Sequence, residues 1–404
     1  MFRSWLPPFS LAAILFLPCC LAPRVDPAHA ARTVPVERPP VSSPGLWPPR
    51  MTATAPSCLV KQGEAPLDEG IFKNCRVLKA GPVRDGFALV VASQRQTPVR
   101  EQEHPFVLTV SHDGDENIFE LKTSDHRISL VVVRAAHGAR PRGLAIYLAS
   151  IMLISREEQA FIRCLQRRGW NVVAITPAVN LFAKERRGEE WNASQLAQQA
   201  GMMAREIDNG LAETAYATEA VLAYLESSEP AYLRGPRIVV GASAGALATP
   251  AVIKRLGGID AAVYIGGGAH LPEIVLESSM RIYRPRIKGK VADRNDSLSR
   301  LKELALKRSQ MDPLKVAPAL PPIPTLLLTA EFDRVVPSST GELLYEALGR
   351  PERWRYPLGH IALFLNLPLQ ASRVIDWIEE AVQHRESLTK CGDDPPPPGQ
   401  EASL

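Results

Sequence analysis

A serine within a run of small residues is the side chain in this sequence best suited to nucleophilic chemistry. Ser243 is the centre of residues 241–245 (GASAG), which directly follow the short apolar run RIVV and lead into an alanine-rich stretch. A GxSxG pattern between a strand and a helix is typical of a sharp turn that lifts the serine hydroxyl above a sheet. A small-residue turn that only packs a helix on a strand is the alternative, and the strand–turn–helix context favours the nucleophile.

Candidate acids and bases follow the serine along the chain. A hydroxyl attacks only when a base takes its proton, and the base needs an acidic partner to hold its tautomer. Asp333 lies on a turn after the apolar run TLLLTA, and His360 ends the segment YPLGH before the last helical stretch. Glu331 is an alternative acid, and His270, which follows the glycines of residues 266–268, is an alternative base.

The segments GASAG, TAEFDRVVP and PLGH resemble the nucleophile, acid and histidine segments of the α/β-hydrolase superfamily, in that superfamily's order. The resemblance covers about residues 118–385. It implies that Ser243 is the nucleophile, Asp333 the orienting acid and His360 the general base, with no cofactor. No CxxC or HxxxH spacing typical of a metal site occurs in the sequence.

The resemblance also implies two backbone N–H groups that bind a developing oxyanion. One belongs to the residue after the nucleophile, Ala244. The other lies in the loop after an earlier strand and is often marked by a His-Gly pair, which is absent after the run LAIYLASIML. Because a backbone group is the donor, its residue need not be glycine or histidine, and Ile151 is the best candidate.

Alternating strand-like and helix-like segments would position these residues. They predict βαβ crossovers and therefore an α/β fold, a mainly parallel central sheet with helices on both faces. Residues 118–121 and 128–134 are β-rich, flank the polar turn TSDHR and predict a hairpin. Residues 368–383 have the apolar spacing of an amphipathic helix.

The N-terminus has the features of an export signal. In residues 1–30, Arg3 precedes the apolar run FSLAAILFL, and Ala-His-Ala ends the segment. The run is shorter than the roughly 20 residues that cross a bilayer, so we expect no membrane span after signal removal. We predict export to the periplasm or the cell exterior. Lipid anchoring at Cys19 or Cys20 is disfavoured, because such signals usually have a small residue first, and proline and cysteine precede these two.

Composition shifts divide the rest of the chain into segments. Residues 31–56 read as a Pro-rich linker, and residues 57–117 as an extension that is either a small β element or a wrap around the core. Residues 118–390 form the predicted hydrolase domain, in which residues 267–320 are either a lid or an ordinary crossover. Residues 391–404 are polar and predicted to be disordered.

Export also changes how the cysteines are interpreted. In an oxidising compartment Cys58 and Cys75 are predicted to form a disulfide that pins the N-terminal segment.

Composition excludes two classes of protein. Of the 404 residues, 46% are hydrophobic, which excludes disorder throughout the chain. The 47 basic and 43 acidic side chains give a net charge of +4, which offers no case for nucleic-acid binding. The expected partner is a small-molecule or acyl-ester substrate, and the oligomeric state is not indicated.

These observations predict an exported serine hydrolase that cleaves a carboxylic ester through an acyl-enzyme. A peptidase or acyltransferase on the same fold is one alternative, because the triad does not distinguish their acceptors. A non-catalytic exported binding protein is another, and such a protein is expected to lose a member of the triad.

Overall fold

In the computed structural model the following residues are described: 24–25, 57–59, 74–83, 86–94, 105–112, 115–122, 126–138, 140–150, 154–176, 190–280, 286–287 and 291–392. The predicted linker, and nearly all of the predicted signal peptide and tail, lie outside the described residues.

The strands are β1 (Arg24–Val25), β2 (Ser57–Leu59), β3 (Asn74–Val83), β4 (Gly86–Gln94), β5 (Pro105–His112), β6 (Asp115–Lys122), β7 (His126–Arg134), β8 (Gly143–Leu148), β9 (Trp170–Ile175), β10 (Glu190–Trp191), β11 (Arg237–Ala242), β12 (Ala261–Ile265), β13 (Arg286–Ile287), β14 (Thr325–Ala330) and β15 (Glu352–Tyr356). The helices are α1 (Arg156–Arg167), α2 (Leu196–Ser228), α3 (Ala244–Leu256), α4 (Leu271–Glu277), α5 (Val291–Arg308), α6 (Pro313–Val316), α7 (Ser338–Ala347) and α8 (His360–Gly392).

A single large sheet organises the described chain. Its strand order is β1-β15-β14-β12-β11-β8-β9-β7-β4-β3-β2. The strands from β15 to β9 in this order are parallel, and those beyond β9, together with β1, are antiparallel to their neighbours. The predicted α/β class with a mainly parallel central sheet is therefore confirmed.

Helices cover both faces of this sheet. Successive side chains of a strand point to opposite faces, and in the buried strands the side chains on both faces are apolar. On β8, Leu144, Ile146 and Leu148 belong to the core beneath α2, α3 and α7. Ala145 and Tyr147 belong to the opposite core, beneath α1 and α8. A strand buried on both faces reads as a continuous apolar run, which is how β8 appears in the sequence.

The predicted hairpin between residues 118–121 and 128–134 is wrong. β6 pairs with β5 in a separate two-stranded sheet, and β7 lies between β4 and β9 in the large sheet. β5 and β6 are separated by Asp113 and Gly114, a pair that favours a two-residue hairpin loop. In the large sheet, Val131 and Val133 of β7 are buried in the core on the side of α2.

Strands in the predicted N-terminal extension lengthen the large sheet. β4 pairs with β7, β3 with β4, and β2 with β3, all antiparallel. The register of β2 and β3 sets Cys58 opposite Cys75. Directly opposed residues in an antiparallel pair have Cα atoms about 4.5–5.5 Å apart, a separation that a disulfide spans. The Cys58–Cys75 disulfide stays a prediction.

The described part of residues 267–320 lies in the helical layer. α5 packs against α2 and α4, α6 packs against α3 and α7, and β13 pairs with β10. A lid over the pocket stays a prediction. Among the described residues, every helix is too short or too polar to cross a bilayer.

The last helix is longer than its sequence pattern predicts. α8 begins at His360 rather than at Pro368, so the proline lies inside the helix. A proline there removes one backbone hydrogen bond. The extra turns bury Leu363 and Leu367 against the sheet, and this packing offsets the lost bond.

Candidate active site

Ser243 occupies a strained turn between β11 and α3. Its φ of 50° and ψ of −112° are unusual for a residue with a side chain. Gly245, two residues on, has no room for a side chain, because a Cβ there would overlap the backbone of Leu148 and Ala149 at the end of β8. The turn therefore brings the start of α3 into direct contact with the end of the neighbouring strand.

A chain of two hydrogen bonds connects the serine to an acid. Ser243 Oγ lies 2.9 Å from His360 Nε2, and His360 Nδ1 lies 2.6 Å from Asp333 Oδ2. All three residues are buried. The structure thus brings together the three side chains that the sequence analysis selected, in hydrogen-bonding contact.

The other oxygen of Asp333 is held by backbone groups. Asp333 Oδ1 accepts the N–H of Val335 and the N–H of Val336, each at 2.9 Å. These two bonds orient the carboxylate, so Oδ2 is directed to the histidine. The segment EFDRVVP after β14 therefore forms a turn whose own backbone amides hold the Asp333 carboxylate in place.

The histidine ring is confined by a glycine and an aromatic ring. A Cβ on Gly266 would lie 3.2 Å from His360 Cε1, and the φ of Gly266 is +60°, which favours glycine. The ring of Phe364 lies 5.1 Å from that of His360, centroid to centroid. These roles of Gly266 and Phe364 were not predicted from the sequence.

The three residues follow strands that end at one edge of the parallel sheet. Ser243 follows β11, Asp333 follows β14, and His360 follows β15, each after the carboxyl end of its strand. The nucleophile turn joins β11 to α3 near the centre of the sheet, and the order along the chain is Ser, Asp, His. The chain has the α/β-hydrolase fold. In this fold the carboxyl edge is where a ligand meets the catalytic loops.

The alternative acid, Glu331, has different neighbours. Its Oε1 lies 3.5 Å from Arg355 Nε. Glu331 and Arg355 also line a polar cavity of about 350 Å³ beside Asp333, together with Ser338 and Glu342. The carboxylate in contact with the histidine of this α/β-hydrolase fold is therefore that of Asp333.

The alternative base, His270, caps a helix. It has left-handed backbone angles, and its Nδ1 accepts the N–H of Glu273 at 3.3 Å, at the start of α4. Asp312 accepts the N–H groups of His270 and Leu271 at 2.9 and 2.6 Å. Burial raises the pKa of Asp312, while hydrogen bonds from the amides of Leu314, Leu271 and His270, and the nearby His270 side chain, act to lower it. His270 thus has a structural role in anchoring the loop after β12.

One predicted oxyanion donor is described and the other is not. Ala244 is the first residue of α3, and an N–H at that position has no acceptor within its own helix. Ile151 lies outside the described residues. The two amides before it are engaged, because Ala149 donates to Ile175 O at 2.8 Å and Ser150 donates to Glu158 Oε1 at 2.9 Å. The next amide along this loop is that of Ile151, which stays a prediction.

Glu158 is a further residue whose contacts were not predicted from the sequence. Ser155 and Glu158 form a capping box at the start of α1, in which each side chain bonds the other's backbone N–H. The spacing of a serine and a glutamate three residues apart is a recognisable signal for such a cap. The signal predicts the helix start, whereas the bond from Ser150 depends on tertiary structure.

Comparisons with solved structures find esterases at low similarity. The match to a cold-adapted esterase from an Arctic intertidal metagenomic library has 14% identity and a TM-score of 0.43, and covers 75% of this chain and 97% of that one. The match to the esterase Pf2001 of Pyrococcus furiosus has 14% identity and a TM-score of 0.41, and covers 69% of this chain and 93% of that one. The match to Est1E from Butyrivibrio proteoclasticus has 12% identity and a TM-score of 0.42, and covers 69% and 99%.

Neither a protein-family model nor a curated protein matches the sequence. Because the TM-scores are low, the assignment of the α/β-hydrolase fold rests on this chain's own strand order and on its nucleophile turn.

Proposed function

We propose that this protein is an exported serine hydrolase that cleaves a carboxylic ester through an acyl-enzyme intermediate. The observation that carries the proposal is the hydrogen-bonded chain from Ser243 through His360 to Asp333. A binding protein that kept only the scaffold would have no need of this buried, aligned set. Similar sets activate a serine hydroxyl in hydrolases of unrelated folds.

In the first half of the reaction His360 Nε2 takes the proton of Ser243 Oγ as that oxygen attacks the ester carbonyl. The resulting imidazolium is stabilised by Asp333, which keeps its own negative charge. The carbonyl oxygen becomes an oxyanion, and the N–H groups of Ala244 and Ile151 bind it. When the tetrahedral intermediate collapses, the bond to the leaving alkoxide breaks and His360 returns the proton to that oxygen.

In the second half water replaces the alcohol. His360 takes a proton from water, the hydroxide attacks the acyl carbon, and the same N–H groups bind the second oxyanion. Collapse breaks the bond to Ser243 Oγ, which recovers its proton from His360. The acid is released and the free enzyme is restored, so the cycle requires no cofactor and no metal.

Labelling with a fluorophosphonate probe tests the proposal. The probe reacts with a serine only when a base activates its hydroxyl. We expect the mature protein to be labelled, labelling to be lost in Ser243→Ala, and to be sharply reduced in His360→Ala. Ser278→Ala removes another buried serine and is expected to label like the wild type. A folded wild-type protein that does not label would instead support the binding-protein interpretation.

Export is the second part of the proposal and is supported by residues 1–30. Cleavage after Ala30 would remove β1, the two-residue strand at the edge of the sheet beside β15. The mature chain is then expected to begin at Ala31. N-terminal sequencing of protein recovered from the periplasm or the medium checks this, and a protein that keeps its first thirty residues in the cell would contradict it.

A further inference from the structure

Phe364 packs against the ring of His360, and it belongs neither to the triad nor to the oxyanion hole. The two residues are four positions apart at the start of α8, so they lie one above the other on the same side of the helix. Their ring centroids are 5.1 Å apart, and their ring planes are inclined by 42°. Rings at this separation are in contact.

Gly266 forms a wall beside both rings. A Cβ added to it would lie 3.2 Å from His360 Cε1 and 3.3 Å from Phe364 Cε2. Its backbone is fixed, because its N–H donates to Leu328 O on β14 at 2.9 Å. The imidazole of His360 therefore has a rigid strand end on one side and the phenyl ring of Phe364 beside it.

Hydrogen bonds alone do not hold the imidazole through the reaction. In the free enzyme Nδ1 contacts Asp333 and Nε2 contacts Ser243. During the proposed cycle Nε2 changes partner, from Ser243 Oγ to the leaving oxygen and then to water. The bond to Asp333 fixes only one ring atom during these exchanges. The tilt of the ring then depends on the groups packed against its carbon atoms, which are Phe364 and Gly266.

The phenyl ring also acts on the charge of His360. An aromatic ring attracts a cation that lies within about 6 Å of its centroid. The imidazole becomes a cation only when it has taken the proton of Ser243, so this attraction is made in the transition state and not in the free enzyme. An interaction of that kind raises kcat and leaves ground-state binding of the substrate unchanged.

We propose that Phe364 is a positioning residue for the general base. It holds the imidazole of His360 beside Gly266, so that Nε2 stays directed to each of its successive partners, and its ring stabilises the imidazolium. This inference rests on the proposed hydrolase function, because it assigns a partner to the base of that reaction.

Phe364→Leu and Phe364→Tyr test the role of the ring. Leucine keeps an apolar side chain but has no aromatic ring, whereas tyrosine keeps the ring. For an activated aryl ester, Phe364→Leu is expected to lower kcat about 3–30-fold with KM nearly unchanged. Phe364→Tyr is expected to keep most of the wild-type kcat. Steady-state kinetics measure both constants, and circular dichroism measures the unfolding temperature of each variant.

A double variant tests whether Phe364 acts through the histidine. A residue that positions the base has no effect on the rate once the base is absent. His360→Ala/Phe364→Leu is therefore expected to react with the fluorophosphonate as slowly as His360→Ala alone, and no more slowly. In the presence of His360, the labelling rate is expected to fall on Phe364→Leu by about the factor by which kcat/KM falls.

Phe87→Leu is the matched control. Phe87 is also half-buried, and its ring packs against that of Tyr232 at 5.7 Å between centroids, on the antiparallel strand β4. The variant is expected to lower the unfolding temperature and to leave kcat and KM unchanged. If Phe364→Leu is unfolded at the assay temperature, Phe364→Met takes its place, and the same fall in kcat at constant KM is expected.

Four results would overturn the inference alone. They are a folded Phe364→Leu or Phe364→Met enzyme with wild-type kcat, a raised KM at unchanged kcat, a Phe364→Tyr enzyme as slow as Phe364→Leu, and a double variant slower than His360→Ala. The second would make Phe364 a substrate-binding residue. If the wild type is not labelled by the fluorophosphonate, the proposed function fails and this inference fails with it, so labelling of the wild type separates the two failures.

Discussion

Ser243→Ala is expected to lower kcat for an activated ester by about 10⁴–10⁶ while the protein stays folded. Alanine leaves His360 in place but removes the atom that attacks the carbonyl. What remains is the contribution of substrate binding and of the oxyanion hole. The variant is expected to stay folded, because the described hydrogen bond of Ser243 Oγ is the one to His360 and its loss leaves the surrounding core unchanged.

A double variant tests whether Ser243 and His360 act as a unit. Once the nucleophile is gone, the base has no proton to take, so Ser243→Ala/His360→Ala is expected to be no slower than Ser243→Ala alone. Steady-state kinetics of the three variants, with circular dichroism to check folding, measure this. A double variant much slower than the single ones would mean that His360 acts on another group.

Asp333→Asn is expected to lower kcat by about 10³–10⁴ at neutral pH. Asp333 Oδ2 lies 2.6 Å from His360 Nδ1, and a carboxylate there requires that nitrogen to carry the proton. An asparagine whose NH₂ group faces the ring favours the other tautomer, in which Nε2 carries the proton and cannot accept the one from Ser243. Asparagine Oδ1 can still accept the amides of Val335 and Val336, so the turn should keep its shape.

Glu331→Gln is the matched control for Asp333→Asn. It removes a carboxylate in the same turn, but one that pairs with Arg355. Its kcat is expected to stay within about threefold of the wild type, because Glu331 pairs with Arg355 and not with His360, and a partly exposed ion pair is worth little. The reverse pattern, with Glu331→Gln inactive and Asp333→Asn active, would make Glu331 the acid and contradict the geometry.

The fold class and the nucleophile, acid and base candidates were predictable from local sequence. A strand buried on both faces is a short apolar run, and a turn that carries a reactive serine needs small neighbours. Both requirements act within a few residues of chain, so RIVVGASAG and TLLLTAEFD show them directly. The Ser, Asp, His order then distinguished this arrangement from other triads.

Pairing between strands that are distant along the chain depends on the packing of the whole domain. The runs that became β6 and β7 are both β-rich, and nothing local in either run says whether they pair with each other. In the folded protein β7 pairs with β4 and β9, and its Val131 and Val133 are buried in the core on the side of α2. Packing of Leu363 and Leu367 against the sheet likewise stabilises the turns of α8 that precede Pro368, the residue predicted to start this helix.

Local sequence places particular residue types after the carboxyl ends of particular strands, and these residue types define the chemistry that this edge of the sheet can perform. It leaves Glu331 and Asp333 as competing acids, and it gave no prediction for Glu158. In the folded protein Asp333 is the acid in contact with His360. Two amides of its own turn bind Oδ1, and Oδ2 is thereby directed to the histidine. The tertiary structure also connects Glu158 to Ser150, since such a bond depends on how α1 packs against β8, which no local pattern encodes.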